Sequence, residues 1–327
     1  MTFRNILGQD QALGLIKDYL QGSRVAGGYL FSGPEGVGKM MAAIAFAKAM
    51  NCEKADFNAC GSCPSCVKIG KAAHPDVHIL GGCSFEGAEE DAPSSIKIEE
   101  IRQLQRDIFL RPYEGRHKVF IINNAHNLTA DASNALLKVL EEPPRQSVII
   151  LVSSKPSLLF ATIVSRCQVI KFNGLERSRL EEILKADYGL EPVPAHFLAY
   201  YSEGRLGLAL RFKNSGLYER KNRIIENFGI IKKENSRLNL PESRQELREI
   251  LNILAAWFRD LYLLKTGVQH SELINLDRRS ELLKHMTSYT FTELDEILHS
   301  LSDSVAFLDQ NVNAKLLMAN LKLSLKG

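Results

Sequence analysis

The chain has 327 residues, of which 45% are apolar and 24% charged, and a formal net charge of +3. This length exceeds the usual size of one hydrophobic core, so we expect two or three domains. The small positive charge neither requires nor excludes a nucleic-acid partner, and no basic stripe indicates a protein that grips DNA alone. No apolar run approaches the length of about 18 residues that a membrane span needs, and the N-terminus lacks a signal-peptide pattern. We therefore expect a cytoplasmic protein that makes no membrane contact.

Five short, nearly all-apolar runs in the first 173 residues predict parallel strands that are covered on both faces. The runs are 29–31, 77–80, 119–122, 148–152 and 168–172. Amphipathic helical patterns lie between them, and one begins at a predicted N-cap, Thr129, and stops at Pro143 and Pro144. This alternation predicts an α/β domain built on a parallel sheet.

After Phe172 the strand signals disappear. Residues 176–214 predict several short helices, and a longer helical region follows, whose clearest helix carries an apolar face from Leu247 to Leu261. A further amphipathic helix is predicted for 311–325. The acidic segment 81–95, rich in small residues, predicts a surface loop.

A glycine-rich loop at 33–39, GPEGVGK, follows the first predicted strand and opens a predicted helix. The backbone N–H groups of such a loop, together with the helix N-terminus, favour phosphate. The candidate nucleotide-binding residues are therefore Gly33, Gly36, Gly38 and Lys39. The setting of strand, loop and helix indicates P-loop ancestry.

Three positions that would support Mg²⁺-dependent hydrolysis carry unsuitable side chains. Met40 stands where a Ser or Thr hydroxyl would coordinate the ion, and a thioether is a poor ligand for a hard cation. Asn123 and Asn124 follow the third predicted strand, where a P-loop ATPase has an Asp for the metal and commonly a Glu for the attacking water. Asparagine lacks the negative charge for either task. The sequence predicts a site without hydrolysis, and nucleotide binding without turnover stays open.

Four cysteines form a C-x7-C-x2-C-x2-C pattern: Cys52, Cys60, Cys63 and Cys66. Four thiolates suit tetrahedral Zn²⁺, and a complete set of sulfur ligands indicates structural rather than catalytic zinc. The two remaining cysteines, 83 and 167, have no partners at ligand spacing.

Two other interpretations concern the surroundings of this cluster. His74, in the HPD motif at 74–76, could act as a ligand, but a loop or cap role is favoured. The cluster could also be a DNA-contacting zinc finger. Its basic residues are only Lys54, Lys68 and Lys71, so it would neutralise phosphate weakly.

Taken in order, the motifs resemble one family. They are LGQ at 7–9, YLFSGPEGVGK at 29–39, the four-cysteine insert, HPD at 74–76, IKIEEIRQLQ at 96–105, KVFIINNAHNL at 118–128, ASNALLKVLEEPP at 132–144 and TIVSRCQVIKF at 162–172. In this order they are similar to the AAA+ clamp-loader subunits of bacterial DNA polymerase III, delta prime and the related gamma/tau. The resemblance is tight up to residue 215, and the C-terminal third matches in helical character and in NVNAKLLMANL at 311–321.

The resemblance implies three domains. These are an AAA+ P-loop domain at 1–173 with the zinc insert at 52–66, a helical lid at 174–214, and a helical C-terminal collar domain at 215–327. It also implies a ring with gamma/tau and delta as partners, which opens a sliding clamp and places it on primed DNA.

The three unsuitable side chains in the P-loop site favour the delta-prime type, which often does not hydrolyse ATP. The alternative is a catalytically active, gamma/tau-like clamp-loader ATPase. No nucleotidyltransfer site is present in the sequence, so membership of a polymerase holoenzyme would not make this chain a polymerase.

By the same resemblance, Arg166 of Ser165-Arg166-Cys167 is an arginine finger that acts in trans on the ATP of a neighbouring subunit. Guanidinium is permanently charged, and its fork of donors suits phosphate oxygens. Without the resemblance, pairing with a surface carboxylate would be the simpler interpretation. Ser153-Ser154 matches the γ-phosphate-sensing position of active relatives, and in a site without hydrolysis we interpret it as vestigial. Glu203-Gly204-Arg205 matches the phosphate-sensing turn of the lid, where we interpret Arg205 as a structural or interface residue.

Overall fold

The computed structural model describes residues 2–22, 26–54, 58–82, 95–231, 243–267, 270–310, 312 and 317. The chain divides into two compact units, Met1–Leu175 and Glu176–Gly327. The strands of the first unit are β1 (Gly28–Ser32), β2 (Val77–Leu80), β3 (Lys118–Ile122), β4 (Ser147–Ser153) and β5 (Gln168–Lys171). Its helices are α1 (Asp10–Gln21), α2 (Lys39–Asn51), α3 (Pro64–Gly70), α4 (Ile98–Ile108), α5 (Ala130–Glu141) and α6 (Ala161–Val164).

The five strands form one parallel sheet in the order β2-β3-β4-β1-β5. All five predicted strands are confirmed. Parallel strands run in one direction, so their carboxyl ends meet at one edge of the sheet and their amino ends at the other. At the carboxyl edge Ser32 of β1 pairs with Ser153 of β4, and Ile122 of β3 pairs with Leu151 of β4. The segments that follow β1, β3 and β4 therefore lie side by side.

Helices cover both faces of this sheet. On one face Phe31 and Ile150 pack with α1 and with α2, whose many alanines allow a helix that is buried on nearly every side. On the other face Leu30 and Phe120 pack with α4 and α5. Burial on both faces explains why the strands appear in the sequence as continuous apolar runs. The predicted cap of α5 is confirmed, because the side chain of Thr129 accepts the N–H of Ala132.

Among its described residues the second unit contains helices joined by turns and no strand, as predicted. Its helices are α7 (Arg177–Ala186), α8 (Pro192–Tyr201), α9 (Leu206–Asn214), α10 (Leu217–Ile231), α11 (Arg244–Thr266), α12 (Arg279–Met286) and α13 (Phe291–Asp309). Among the described residues, no helix has both the length and the apolar composition needed to cross a bilayer. The predicted helix at 311–325, apart from residues 312 and 317, and most of the predicted loop at 81–95 lie outside the described residues. The separate lid and collar domains stay a prediction.

A buried ion pair lies inside the second unit. Nζ of Lys221, which is 0% exposed, lies 2.8 Å and 3.0 Å from the carboxylate oxygens of Asp277. The same ammonium lies 4.8 Å from the ring centroid of Phe197 and 4.7 Å from that of Tyr218. Burial lowers the pKa of Lys221, although Asp277 acts in the opposite direction. The pair connects α10 with α8 and with the turn before α12.

We expect Lys221→Met to lower the free energy of unfolding of the second unit by about 3 kcal/mol, because it leaves Asp277 with an uncompensated charge. The double variant Lys221→Met/Asp277→Asn removes both charges and should recover most of this loss. Trp257, the single tryptophan, is buried in α11, so its fluorescence during urea unfolding reports on this unit. Equal stability of Lys221→Met and the wild type would contradict the role given to the pair.

Candidate nucleotide site and cysteine cluster

The glycine-rich loop connects β1 to α2 at the carboxyl edge of the sheet. Gly33 has a φ of +147°, and a Cβ atom there would lie 2.1 Å from the carbonyl oxygen of Phe172, so only glycine fits. Gly38, with a φ of +96°, is the left-handed N-cap of α2. Lys39 is buried, and its Nζ donates to the carbonyl of Pro34 at 2.6 Å. The backbone thus curls between β1 and α2, and phosphate binding by this loop stays a prediction.

The three side chains that replace the expected metal and water ligands have other contacts. Met40 packs against the apolar core between α1, α2 and the sheet. Asn123 donates from Nδ2 to the carbonyl of Gly82 at 2.9 Å, which a carboxylate could not do. Asn124 has φ 49° and ψ 45°, a left-handed conformation that Asn tolerates better than Glu. Each replacement therefore fits a local contact or backbone conformation that the ATPase residue would not.

Ser153 and His126 form a polar pair beside the same loop. Ser153 ends β4, and its buried Oγ lies 3.2 Å from Nδ1 of His126 and accepts the N–H of Lys155. Burial lowers the pKa of His126, and the nearby ammonium groups of Lys155 and Lys39 lower it further. His126 is therefore neutral at neutral pH. The sequence did not single out this histidine, although it directly follows the NNA segment of the motif.

Arg166 lies at the opposite edge of the sheet from the P-loop. It precedes β5, whose first residue, Gln168, pairs with Tyr29. The carbonyl oxygen of Arg166 lies 3.3 Å from the position of a Cβ atom on Gly28, the first residue of β1. The P-loop follows the last residue of the same strand, and a strand of this length spans about 16 Å. Arg166 therefore cannot reach the P-loop of its own chain.

Two acceptors hold the guanidinium of Arg166. Nη2 lies 2.8 Å from Oε1 of Glu141, the last residue of α5. Nη1 donates to the carbonyl of Thr162 at 3.0 Å. Within the chain alone, the arginine is thus paired with a surface carboxylate.

The four cysteines of the predicted zinc site are brought together. Their Sγ atoms all lie within 4.8 Å of one another. Cys52 follows the last residue of α2, and Cys63 is the N-cap of α3. Backbone N–H groups point at three of the sulfurs, since those of Cys60, Cys63 and Cys66 donate to the Sγ atoms of Cys52, Cys60 and Cys63 at 3.3 to 3.4 Å.

The donor set fits a tetrahedral thiophilic cation. Bonds of about 2.3 Å to a central zinc would place the sulfurs about 3.8 Å apart, which small shifts of these side chains provide. Hydrogen bonds from the N–H groups of Ser62 and Cys63 lower the pKa of Cys60 to about 6. Burial raises the pKa of Cys66, and a bound cation would favour its thiolate form. Cys167 is apart from the cluster, and Cys83 lies outside the described residues.

Comparison with known proteins identifies the family. The profile of the family described as "DNA polymerase III, delta subunit" matches residues 8–176, and that of "DNA polymerase III, delta subunit, C terminal" matches residues 216–326. The chain belongs to this DNA polymerase III clamp-loader family. Its fold agrees with the assignment, since a parallel sheet with a glycine-rich loop after its first strand is followed by a helical C-terminal region.

Individual relatives cover different shares of the clamp-loader chain. The delta' subunit of Bacillus subtilis DNA polymerase III is 26% identical over 97% of this chain and 96% of its own length. The tau subunit of Escherichia coli is 35% identical over 66% of this chain, which spans only 33% of tau. The solved structure of a gamma subunit-related protein from Thermotoga maritima has 18% identity and a TM-score of 0.44, over 97% of this chain and 99% of that one.

Asn51 connects the cysteine cluster of this clamp-loader chain to the segment that precedes β3 of the sheet. It is the last residue of α2, next to Cys52, and its Oδ1 accepts the backbone N–H groups of Arg116 and His117 at 2.9 and 3.0 Å. These residues directly precede β3. This contact could not be predicted from the sequence, because the partners are separated by 65 and 66 residues.

The HPD motif supplies a second anchor. Asp76 is fully buried and accepts the backbone N–H groups of residues 113, 114 and 115 at 2.7 to 2.9 Å. Burial opposes its ionisation, but these hydrogen bonds prevail and lower its pKa. His74 accepts the N–H of Asp76 at Nδ1, and its Nε2 lies 3.2 Å from Oγ of Ser65 in α3. This contact fits the cap role predicted for His74.

Arg205 of the second unit is engaged within its own turn. Its Nε donates to the carbonyl of Ser202 at 2.7 Å, and Nη2 lies 3.5 Å from Glu203. These contacts stabilise the turn that opens α9.

The left-handed backbone at Asn124 can be tested by substitution. We expect Asn124→Glu to destabilise the first unit by about 1 kcal/mol more than Asn124→Gly, because glycine accepts a positive φ without steric strain. Hydrogen exchange of the β1 and β3 amides, read by mass spectrometry, measures the free energy of opening. If both variants open equally easily, the backbone at 124 does not select against glutamate.

Proposed function

We propose that this chain is the delta-prime-type subunit of the DNA polymerase III clamp loader and does not hydrolyse ATP itself. The observation that carries the proposal is the set of contacts made by Met40, Asn123 and Asn124. The three positions needed for a metal ion and an activated water hold a partly buried apolar side chain that packs against the core and two neutral amides. The match to a delta' protein over nearly the full length of both chains supports the same assignment.

In this proposal the chain sits in a ring with gamma/tau and delta subunits, which loads a sliding clamp onto primed DNA, and Arg166 acts in trans. The place of Arg166 at the amino edge of the sheet supports this role, because any nucleotide phosphate that it contacts must belong to another chain. Leu158 and Phe160, on the segment before α6, are 61% and 40% exposed. They supply apolar surface for a neighbouring subunit close in sequence to Arg166.

We also infer that the four cysteines bind a structural Zn²⁺ ion. When bound, zinc would crosslink the end of α2 to the start of α3. Because Asn51 and Asp76 attach the same region to the segments before β3, the cluster would stabilise one corner of the P-loop domain. Four sulfur ligands leave no open position for catalysis.

The trans role predicts the behaviour of Arg166→Ala in a reconstituted loader with DNA and clamp. We expect ATP turnover to fall at least roughly 10-fold, because a trans arginine is worth about 10³–10⁵ in rate at one site. Arg166→Lys, which keeps the charge but lacks the donor fork, should assemble normally and also be slow. Arg145→Ala, an exposed arginine close to the end of α5, is the matched control.

Normal turnover of an assembled Arg166→Ala loader would contradict the finger role and leave this chain as a scaffold. Turnover that depends on Mg²⁺ and on Lys39 of this chain would instead favour the gamma/tau-like ATPase.

The zinc inference predicts the metal content of the purified chain. We expect equimolar zinc by mass spectrometry in the wild type and in Cys167→Ser, and greatly reduced zinc in Cys66→Ser. Removal of zinc with a chelator should lower the melting temperature of the wild type, because metal binding stabilises only the folded site. A wild-type chain that neither contains zinc nor takes it up when folded would refute the inference.

A further inference from the structure

We infer that Glu141 is a positioning residue for Arg166, an inference that rests on the finger role proposed above. The two side chains are brought together by separate elements at the amino edge of the sheet. Glu141 ends α5, which is anchored in the core by Leu136, Val139 and Leu140. Arg166 follows α6, which is anchored by the fully buried Ile163.

The contacts of Arg166 use only some of the N–H donors of its guanidinium. Nη2 faces Oε1 of Glu141 at 2.8 Å, and Nη1 donates to the carbonyl of Thr162 at 3.0 Å. A guanidinium has five N–H donors in a rigid plane. Among the contacts of the described residues, Nε–H and the remaining hydrogens of Nη1 and Nη2 are left for phosphate oxygens. Two acceptors on separate elements therefore orient the planar group without using all its donors.

The exposure of this ion pair indicates that it orients the side chain of Arg166 and adds little to the stability of the fold. The side chains of Arg166 and Glu141 are 35% and 50% exposed, and exposed ion pairs contribute little to folding. An arginine side chain has many rotamers, and fixing it when the neighbour docks costs entropy. A carboxylate that holds the guanidinium beforehand reduces this cost and directs the free donors toward the neighbour. The contribution of Glu141 should therefore appear in the rate of hydrolysis.

The test compares Glu141→Gln with Glu142→Gln in the reconstituted loader with DNA and clamp. Both variants remove one negative charge, but in the described part of the chain Glu142 forms no ion pair. We expect Glu141→Gln to lower kcat for ATP roughly 10-fold, with KM for ATP and assembly unchanged. Glu142→Gln should stay within about 2-fold of the wild type. The double variant Arg166→Ala/Glu141→Gln should be no slower than Arg166→Ala, because Glu141 acts only through the arginine.

Three outcomes would overturn the inference. The first is unchanged turnover in Glu141→Gln. The second is faster turnover in that variant, which would mean that the carboxylate restrains the arginine. The third is additive losses in the double variant, which would mean that Glu141 has a separate structural role. The proposed function fails in a different way, because it is contradicted when Arg166→Ala alone leaves turnover unchanged. A slow Arg166→Ala with a normal Glu141→Gln would preserve the finger role and reject only the positioning role.

Discussion

The common direction of the five strands determines where each functional side chain lies. In a parallel sheet every strand ends at the same edge, so the glycine-rich loop, the two asparagines and Ser153 gather at the carboxyl edge. Arg166 and Glu141 lie at the amino edge, a strand length of about 16 Å away. The sheet therefore separates the glycine-rich loop from Arg166, which cannot reach the phosphate loop of its own chain. Both parts of the proposed function, the absence of hydrolysis by this chain and the trans role of Arg166, depend on this separation.

The proposed absence of hydrolysis is compatible with a well-packed P-loop domain, because each of the three replacements makes a local contact or fits the local backbone. Met40 adds apolar contact to the core, Asn123 secures the backbone at Gly82, and Asn124 fits a left-handed turn. Asp or Glu at the last two positions would lose a hydrogen bond or add backbone strain. Such local contacts make it difficult for single substitutions to restore an ATPase site.

Much of the fold was predictable because it depends on short-range patterns. The apolar runs located all five strands, Thr129 marked the start of α5, and the cysteine spacing identified the cluster whose sulfurs lie within 4.8 Å of one another. The contacts that the sequence did not reveal are long-range or buried polar ones. Asp76, Asn51 and the pair of Lys221 with Asp277 bind partners far along the chain, and nothing in their neighbouring residues distinguishes them from exposed polar residues. Glu141 was visible only as part of a motif, because its pairing with Arg166 requires the packing of α5 and α6.

The proposed absence of ATPase activity is best tested by measuring the hydrolysis of Mg²⁺-ATP by the purified chain, with and without primed DNA. We expect a rate indistinguishable from that of buffer and of Lys39→Ala. Turnover by the wild type that disappears in Lys39→Ala would contradict it, because hydrolysis would then come from the P-loop of this chain.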